Sequence, residues 1–367
     1  MHKKIRTVGV CALIVIWMGL ALLLWFGPKE AYTFSERRKL AQMPKISADT
    51  IFSGKFMPDF EDFTLDQFPL RDRVRQIKSL FHYYVLQQKD NNGIYLVGDT
   101  VAKIEYPLNE ASVDYAAGRL NALYDSYLKD TDCRVYAAVV PDKGYYLAQD
   151  HGYPVMDYKA LFNRFRQALP WAEHVDLTAL LSGKMYYDTD THWRQEHLIP
   201  VAQQLCESMG AKVPVASDYT LTVLEQPFYG VYFGQAALPL KPETMAILEN
   251  LVLQNCTVTD PITGSVASVY NMEKLSSPDL YDVFLSGAQP LLVIDNPAGE
   301  PGKELVLFRD SYGSSLAPLL AESYAKVTLV DIRYMSQEQI GQYVTFENQD
   351  VLFLYSTLVL NNGRSLK

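Results

Sequence analysis

Hydrophobic and polar positions along this chain change period several times, and the changes mark its elements. Thr7 to Phe26, TVGVCALIVIWMGLALLLWF, runs without a charge or a proline. At about 1.5 Å per residue, about twenty helical residues match a hydrocarbon layer of about 30 Å. Polar and turn-forming residues without clear period follow, until Val74, Ile77, Leu80, Phe81, Tyr84 and Val85 recur at helical spacing. Leu120, Leu123 and Tyr127 mark another helix, and CRVYAAVV after them reads as a strand. YKALFNRFRQAL predicts a helix. So do Leu198, Val201, Ala202, Leu205, Cys206 and Met209, a run closed by Gly210. Residues 213–300 are rich in Val, Thr, Tyr and turn formers and predict an inserted set of strands.

The C-terminal pattern is the clearest. ELVLF, KVTLVDI and DVLFLYSTLVL are unbroken apolar runs, separated by the helical stretches SLAPLLAESY and SQEQIGQYV. Strands alternating with helices pair in parallel, and parallel strands covered on both faces read as continuous apolar runs. The fold class is therefore α/β, with a parallel sheet flanked by helices. In such sheets ligand sites lie beyond the carboxyl ends of the strands.

Composition refines this reading. With 367 residues, 49% of them hydrophobic, the chain has ample material for a core. The formal net charge is −9, and Lys3, Lys4 and Arg6 precede the apolar run. An acidic surface gains nothing from displacing counterions on a phosphate backbone, so nucleic acid is set aside as a partner. Basic residues before the run place the N-terminus in the cytoplasm and the remainder outside, at the cell membrane as a single-pass protein. A cleaved signal peptide is the alternative, but WFGPKEAY offers a poor cleavage site. The expected organisation is a cytoplasmic tail (1–6), a transmembrane anchor (7–27), a stalk with an amphipathic helix (28–92) and an extracytoplasmic domain (93–367) holding the β-rich insertion (213–300). Cys133, Cys206 and Cys256 lie beyond the anchor, without the spacing of a disulfide framework or a zinc site.

Two short stretches carry the candidate chemistry. YYDTDTHW places Asp188, Asp190 and His192 at alternate positions, so that on an extended segment they project to one side. RDSYG, at the carboxyl end of ELVLF and before a helix, presents Ser311 on a strand-to-helix turn. There the amides of the first helical turn point toward a developing oxyanion. An ordinary helix-capping serine fits the same position. A serine hydroxyl becomes a nucleophile when an imidazole takes its proton and a carboxylate fixes the tautomer of that imidazole. A divalent cation on the Asp and His residues is the weaker reading, because no second cluster supplies further ligands. No Walker loop or dinucleotide fingerprint is present, and no cofactor is expected.

YYDTDTHW, followed later by LVLFRDSYGSSLAPLL and VTLVDIRY, resembles the DHHW family. More distantly it is similar to the alginate O-acetyltransferase proteins with an SGNH-hydrolase-like fold. SERRKLAQMP, FPLRD, NGIYL and VPDK fall in the order that family shows, so the likeness covers roughly residues 34–360. It implies Ser311 as nucleophile, His192 as general base and Asp190 as its orienting partner. It further implies an acetylserine intermediate, a cell-envelope or exported polysaccharide as glycan acceptor, and an acyl donor delivered by a membrane-bound O-acyltransferase. Asp188, Trp193, Tyr312 and Arg333 are expected at the substrate, the aromatic residues as faces for sugar rings, with Lys143 a further candidate for the pocket wall. A carbohydrate esterase and a non-catalytic envelope or polysaccharide-binding scaffold are the alternatives. Arg309 departs from the Gly-Asp-Ser pattern of the hydrolases and would bring a charge near the substrate. RQEHLIP stands where the family has a glycine-containing segment.

Overall fold

The computed structural model describes residues 2–367, with side chains from Ile5 onward. The chain forms two compact units, one of residues 1–91 with 233–240 and one of residues 92–232 with 241–367.

The first unit begins with a helix, His2–Phe26. Its Ile5–Phe26 portion has a mean hydropathy of 2.6 and no buried residue in that window, which is compatible with a single-pass anchor. In the segment expected as a stalk with an amphipathic helix, that helix is Arg71–Leu80, and the part before it carries two more, Ala48–Phe52 and Phe56–Asp66. SERRK and FPLRD meet here. Arg38 holds both oxygens of Asp66 (2.5 and 2.7 Å), and Glu36 pairs with Arg71 (2.6 Å) and Arg75 (3.1 Å). These two motifs are thus accounted for by an ion-pair cluster within the unit.

The second unit is built on an eight-stranded sheet. In chain order its strands are β1 (Arg134–Val140), β2 (Glu173–Val175), β3 (Thr257–Thr259), β4 (Val266–Ala267), β5 (Leu291–Asp295), β6 (Glu304–Arg309), β7 (Lys326–Val330) and β8 (Asp350–Ser356). Their spatial order is β4-β3-β5-β7-β6-β8-β1-β2. From β7 to β2 every pairing is parallel, while β5, β3 and β4 extend the sheet antiparallel. Part of the 213–300 segment therefore lengthens the main sheet. Another part forms a separate ladder of Thr220–Val223 with Ala246–Glu249.

Helices α1 (Glu110–Leu123), α2 (Tyr158–Ala168), α3 (Ile199–Ser208) and α4 (Tyr312–Ala321) flank the sheet. Alternation along β6 shows why. Leu305 and Leu307 enter the core shared with α3 and α4, whereas Val306 and Phe308 enter the core shared with α1 and α2. All seven residues of β8 are buried, as expected of a strand near the centre of the sheet. The turn after β6 thus leaves the middle of the sheet at the carboxyl ends of its parallel strands.

Candidate active site

Ser311 stands on that turn, between β6 and α4. Its side chain makes no capping bond to the helix. Instead His192 Nε2 lies 2.8 Å from Ser311 Oγ, and His192 Nδ1 lies 2.6 Å from Asp190 Oδ1. The hydroxyl of this serine thus bonds the imidazole and does not cap the helix.

Each member is held by backbone. Asp190 is fully buried; its Oδ1 also accepts the His192 amide (3.0 Å), and its Oδ2 accepts the Val231 amide (2.7 Å). Gly230 lies so close to this loop that a Cβ there would stand 2.2 Å from the Thr189 carbonyl oxygen. Glu243 accepts the amides of Asp188 (2.5 Å) and Thr189 (2.6 Å), and Arg194 pairs with it (2.5 Å). On the Ser311 side, Asp310 Oδ1 accepts the Tyr312 amide (3.0 Å) and Oδ2 the Ser356 amide (2.7 Å), fastening the turn to the end of β8. The Gly313 amide bonds the Asp310 carbonyl (3.1 Å). Two first-turn amides that the sequence offers to an oxyanion are therefore occupied by Asp310.

The remaining candidates sit elsewhere. Asp188 bonds outside the Ser311–His192–Asp190 line: its Oδ1 accepts from Thr100 (2.6 Å). Trp193 and Tyr312, expected to face a sugar, are enclosed at 0% and 2% exposure. Trp193 Nε1 donates to the Tyr312 carbonyl (3.1 Å) and to Ser315 Oγ (3.0 Å), and the Tyr312 hydroxyl donates to the Thr191 carbonyl (2.7 Å). Their faces serve packing here, because an indole N–H and a phenol find buried acceptors. Arg333 is held by both oxygens of Asp331 (2.9 and 2.6 Å). Lys143 is buried and donates to the carbonyls of Val101, Tyr187 and Asp188 (2.5, 2.7 and 3.1 Å), a structural cross-link rather than a pocket wall. Arg309 brings no charge to the surface. It is fully buried, within 3.9 Å of Asp331 and 3.2 Å of Ser314 Oγ.

Sequence reasoning did not find Val231, Glu243, Tyr281 or Ser315. Tyr281 stacks on the His192 ring, with centroids 3.9 Å apart and planes 9° apart. Nothing local in DLYDV signals this.

The fold is an SGNH-hydrolase-like α/β fold, a mostly parallel sheet flanked by helices. The chain shares its fold with a DHHW family protein from Eubacterium siraeum, at a TM-score of 0.62 and 22% identity over 75% of this chain and 95% of that one. It shares it also with Bacillus cereus PatB1 (TM-score 0.60, 19% identity, 74% and 97% covered), of which a second structure carries a sulfonyl adduct. The O-acetyltransferase domain of Pseudomonas putida AlgJ is a looser match, at a TM-score of 0.45 and 11% identity over 73% of this chain and 92% of that one. No family model and no curated protein sequence matches the chain. The DHHW resemblance seen in the motifs is thus met at the level of the fold.

Proposed function

We propose that the chain transfers an acetyl group through Ser311 onto hydroxyls of a cell-envelope or exported polysaccharide. The observation that carries this reading is the continuous hydrogen-bonded line from Ser311 Oγ through His192 to Asp190, at 2.8 and 2.6 Å. His192 takes the Ser311 proton as Oγ adds to the acyl carbonyl, and returns it to the leaving group as the tetrahedral centre collapses. A sugar hydroxyl then attacks the acetylserine, again giving its proton to His192, and the ester leaves with Ser311 restored. Asp190 holds Nδ1–H and stabilises the imidazolium that forms in each step. With the Tyr312, Gly313 and Ser314 amides engaged, the amide of Ser311 itself, at the N-cap, is the donor for the oxyanion.

The acceptor assignment follows the motif resemblance, as does a membrane-bound O-acyltransferase as source of the acetyl group. The apolar Ile5–Phe26 helix, with basic residues before it, supports a membrane anchor with the site on the extracytoplasmic side.

The test has two parts. A fluorophosphonate or sulfonyl fluoride should label Ser311 in the native chain, as located by peptide mass. A chromogenic acetyl ester, supplied with oligosaccharides, should give acetylated sugar. Release of acetate that no acceptor diverts identifies an esterase, and a folded chain that binds glycan without forming an acyl-enzyme identifies a scaffold.

A further inference from the structure

We propose that Tyr281 is a positioning residue for His192, locked to the helix that carries the nucleophile through Ser315. The inference rests on the reading of Ser311 as nucleophile and says what keeps its base in place.

Two hydrogen bonds do not fix an imidazole. Bonds at Nδ1 and Nε2 hold the ring along one line and leave it free to rock about that line. A contact on the ring face limits the rocking that these bonds and the Cβ tether still allow. Tyr281 supplies that contact by lying nearly parallel on the imidazole, while Tyr312 meets it at 5.1 Å and 59°.

The stacking ring is itself held at both ends. Its backbone belongs to a single turn, Leu280–Val283, whose start is capped by Asp279 accepting the Tyr281 amide (3.0 Å). Its hydroxyl donates to Ser315 Oγ (2.8 Å). Ser315 stands one helical turn beyond Ser311 in α4, and the same Oγ accepts Trp193 Nε1, from the residue that follows His192. One buried hydroxyl therefore joins three parts of the site: the nucleophile's helix, the base's loop and the ring on the base. Tyr281 is enclosed, at 4% exposure, and burial pushes its phenol well above the ordinary tyrosine range, so that it remains a donor.

The stack also discriminates between states. When His192 takes the proton of Ser311 it becomes an imidazolium, and a cation is attracted to an aromatic face more strongly than a neutral ring is. The gain appears as charge develops, so it lowers the barrier rather than merely tightening the resting site.

The experiment uses the full chain and a fluorophosphonate probe, resolving the maximal labelling rate from the apparent affinity. Tyr281→Phe keeps the face and should label within about threefold of native. Tyr281→Leu loses it and should lose about tenfold in maximal rate at unchanged affinity. Ser315→Ala, which takes the acceptor from Trp193 as well as from Tyr281, should slow the maximal rate by more than Tyr281→Phe does, and it provides the measurement if Tyr281→Leu fails to fold. Native rates in folded Tyr281→Leu or, in its place, in Ser315→Ala overturn the inference. Equal losses in the Phe and Leu variants also overturn it, since the hydroxyl alone would then matter. A folded native chain that is not labelled at Ser311 overturns the nucleophile reading and this inference with it, a result distinct from the other two.

Discussion

The backbone amide of Val231 donates to Asp190 Oδ2 at 2.7 Å, while the other oxygen of that carboxylate serves His192. A carboxylate bonded in this way keeps its orientation without help from solvent. The bond also ties Asp190 to a segment 41 residues further along the chain. The site is therefore assembled across the fold, which gives each residue around it a distinct expected effect.

Ser311→Ala should abolish acyl transfer and probe labelling while leaving stability nearly unchanged. Its hydroxyl makes no helix cap, so the usual cost of about 1 kcal/mol for removing a capping side chain does not apply. Thermal unfolding alongside a turnover assay checks both halves. Retained turnover in a folded variant contradicts the mechanism.

The two aspartates should separate by role. Asp190→Asn exchanges a carboxylate for an amide at His192 Nδ1 and should cost up to about 10⁴ in rate, as in a triad that loses tautomer control. Asp188→Asn, which touches Thr100 instead, should cost less than about threefold. Comparing the two rates at one pH is enough, and equal losses would refute the assignment.

Gly230→Ala should damage the site without touching it. The added Cβ would meet the Thr189 carbonyl at 2.2 Å, so the loop carrying Asp190 must move or the turn must open. Overpacking of this kind costs about 1 to 3 kcal/mol in stability. A melting curve and a labelling rate should both fall. A native labelling rate would show that the Asp190 loop tolerates displacement.

Burial pushes the Cys206 and Cys256 thiols up to about 11. At pH 8 only about a thousandth of each would be thiolate, the reactive form. Iodoacetamide should spare both in the folded chain and modify both after unfolding in urea, as read by peptide mass. Modification of Cys206 at the native stage would mean that its core opens readily.

Much of this could be read from the chain because its signals are local. ELVLF, KVTLV and DVLFLYS are continuous apolar runs because each parallel strand is covered on both faces, and that pattern survives in sequence. Asp190 and His192 were legible from their spacing, and Ser311 from its place after a buried strand. Residue type does not report burial, so Trp193 and Tyr312 read in the sequence as substrate faces although the fold encloses both. Tyr281, Ser315 and Val231 were not legible at all: each acts through an approach that only the tertiary fold creates. Glu243 shapes the 188–189 loop from 55 and 54 residues away, and no period or motif records such a contact.

The strand order also sets a schedule for assembly. β6, which delivers Ser311, pairs only with β7 and β8, both later in the chain, and β1 must wait more than two hundred residues for β8 to join it to them. A chain emerging from its N-terminus therefore carries β1 and then β6 with open apolar edges until residues 350–356 arrive. Contacts so distant in sequence form slowly, and open edges invite wrong pairing in the interval. The stretch DVLFLYS thus closes the middle of the sheet, and a chain cut short before it would hold Asp190, His192 and Ser311 while β6 and β1 lacked their shared neighbour.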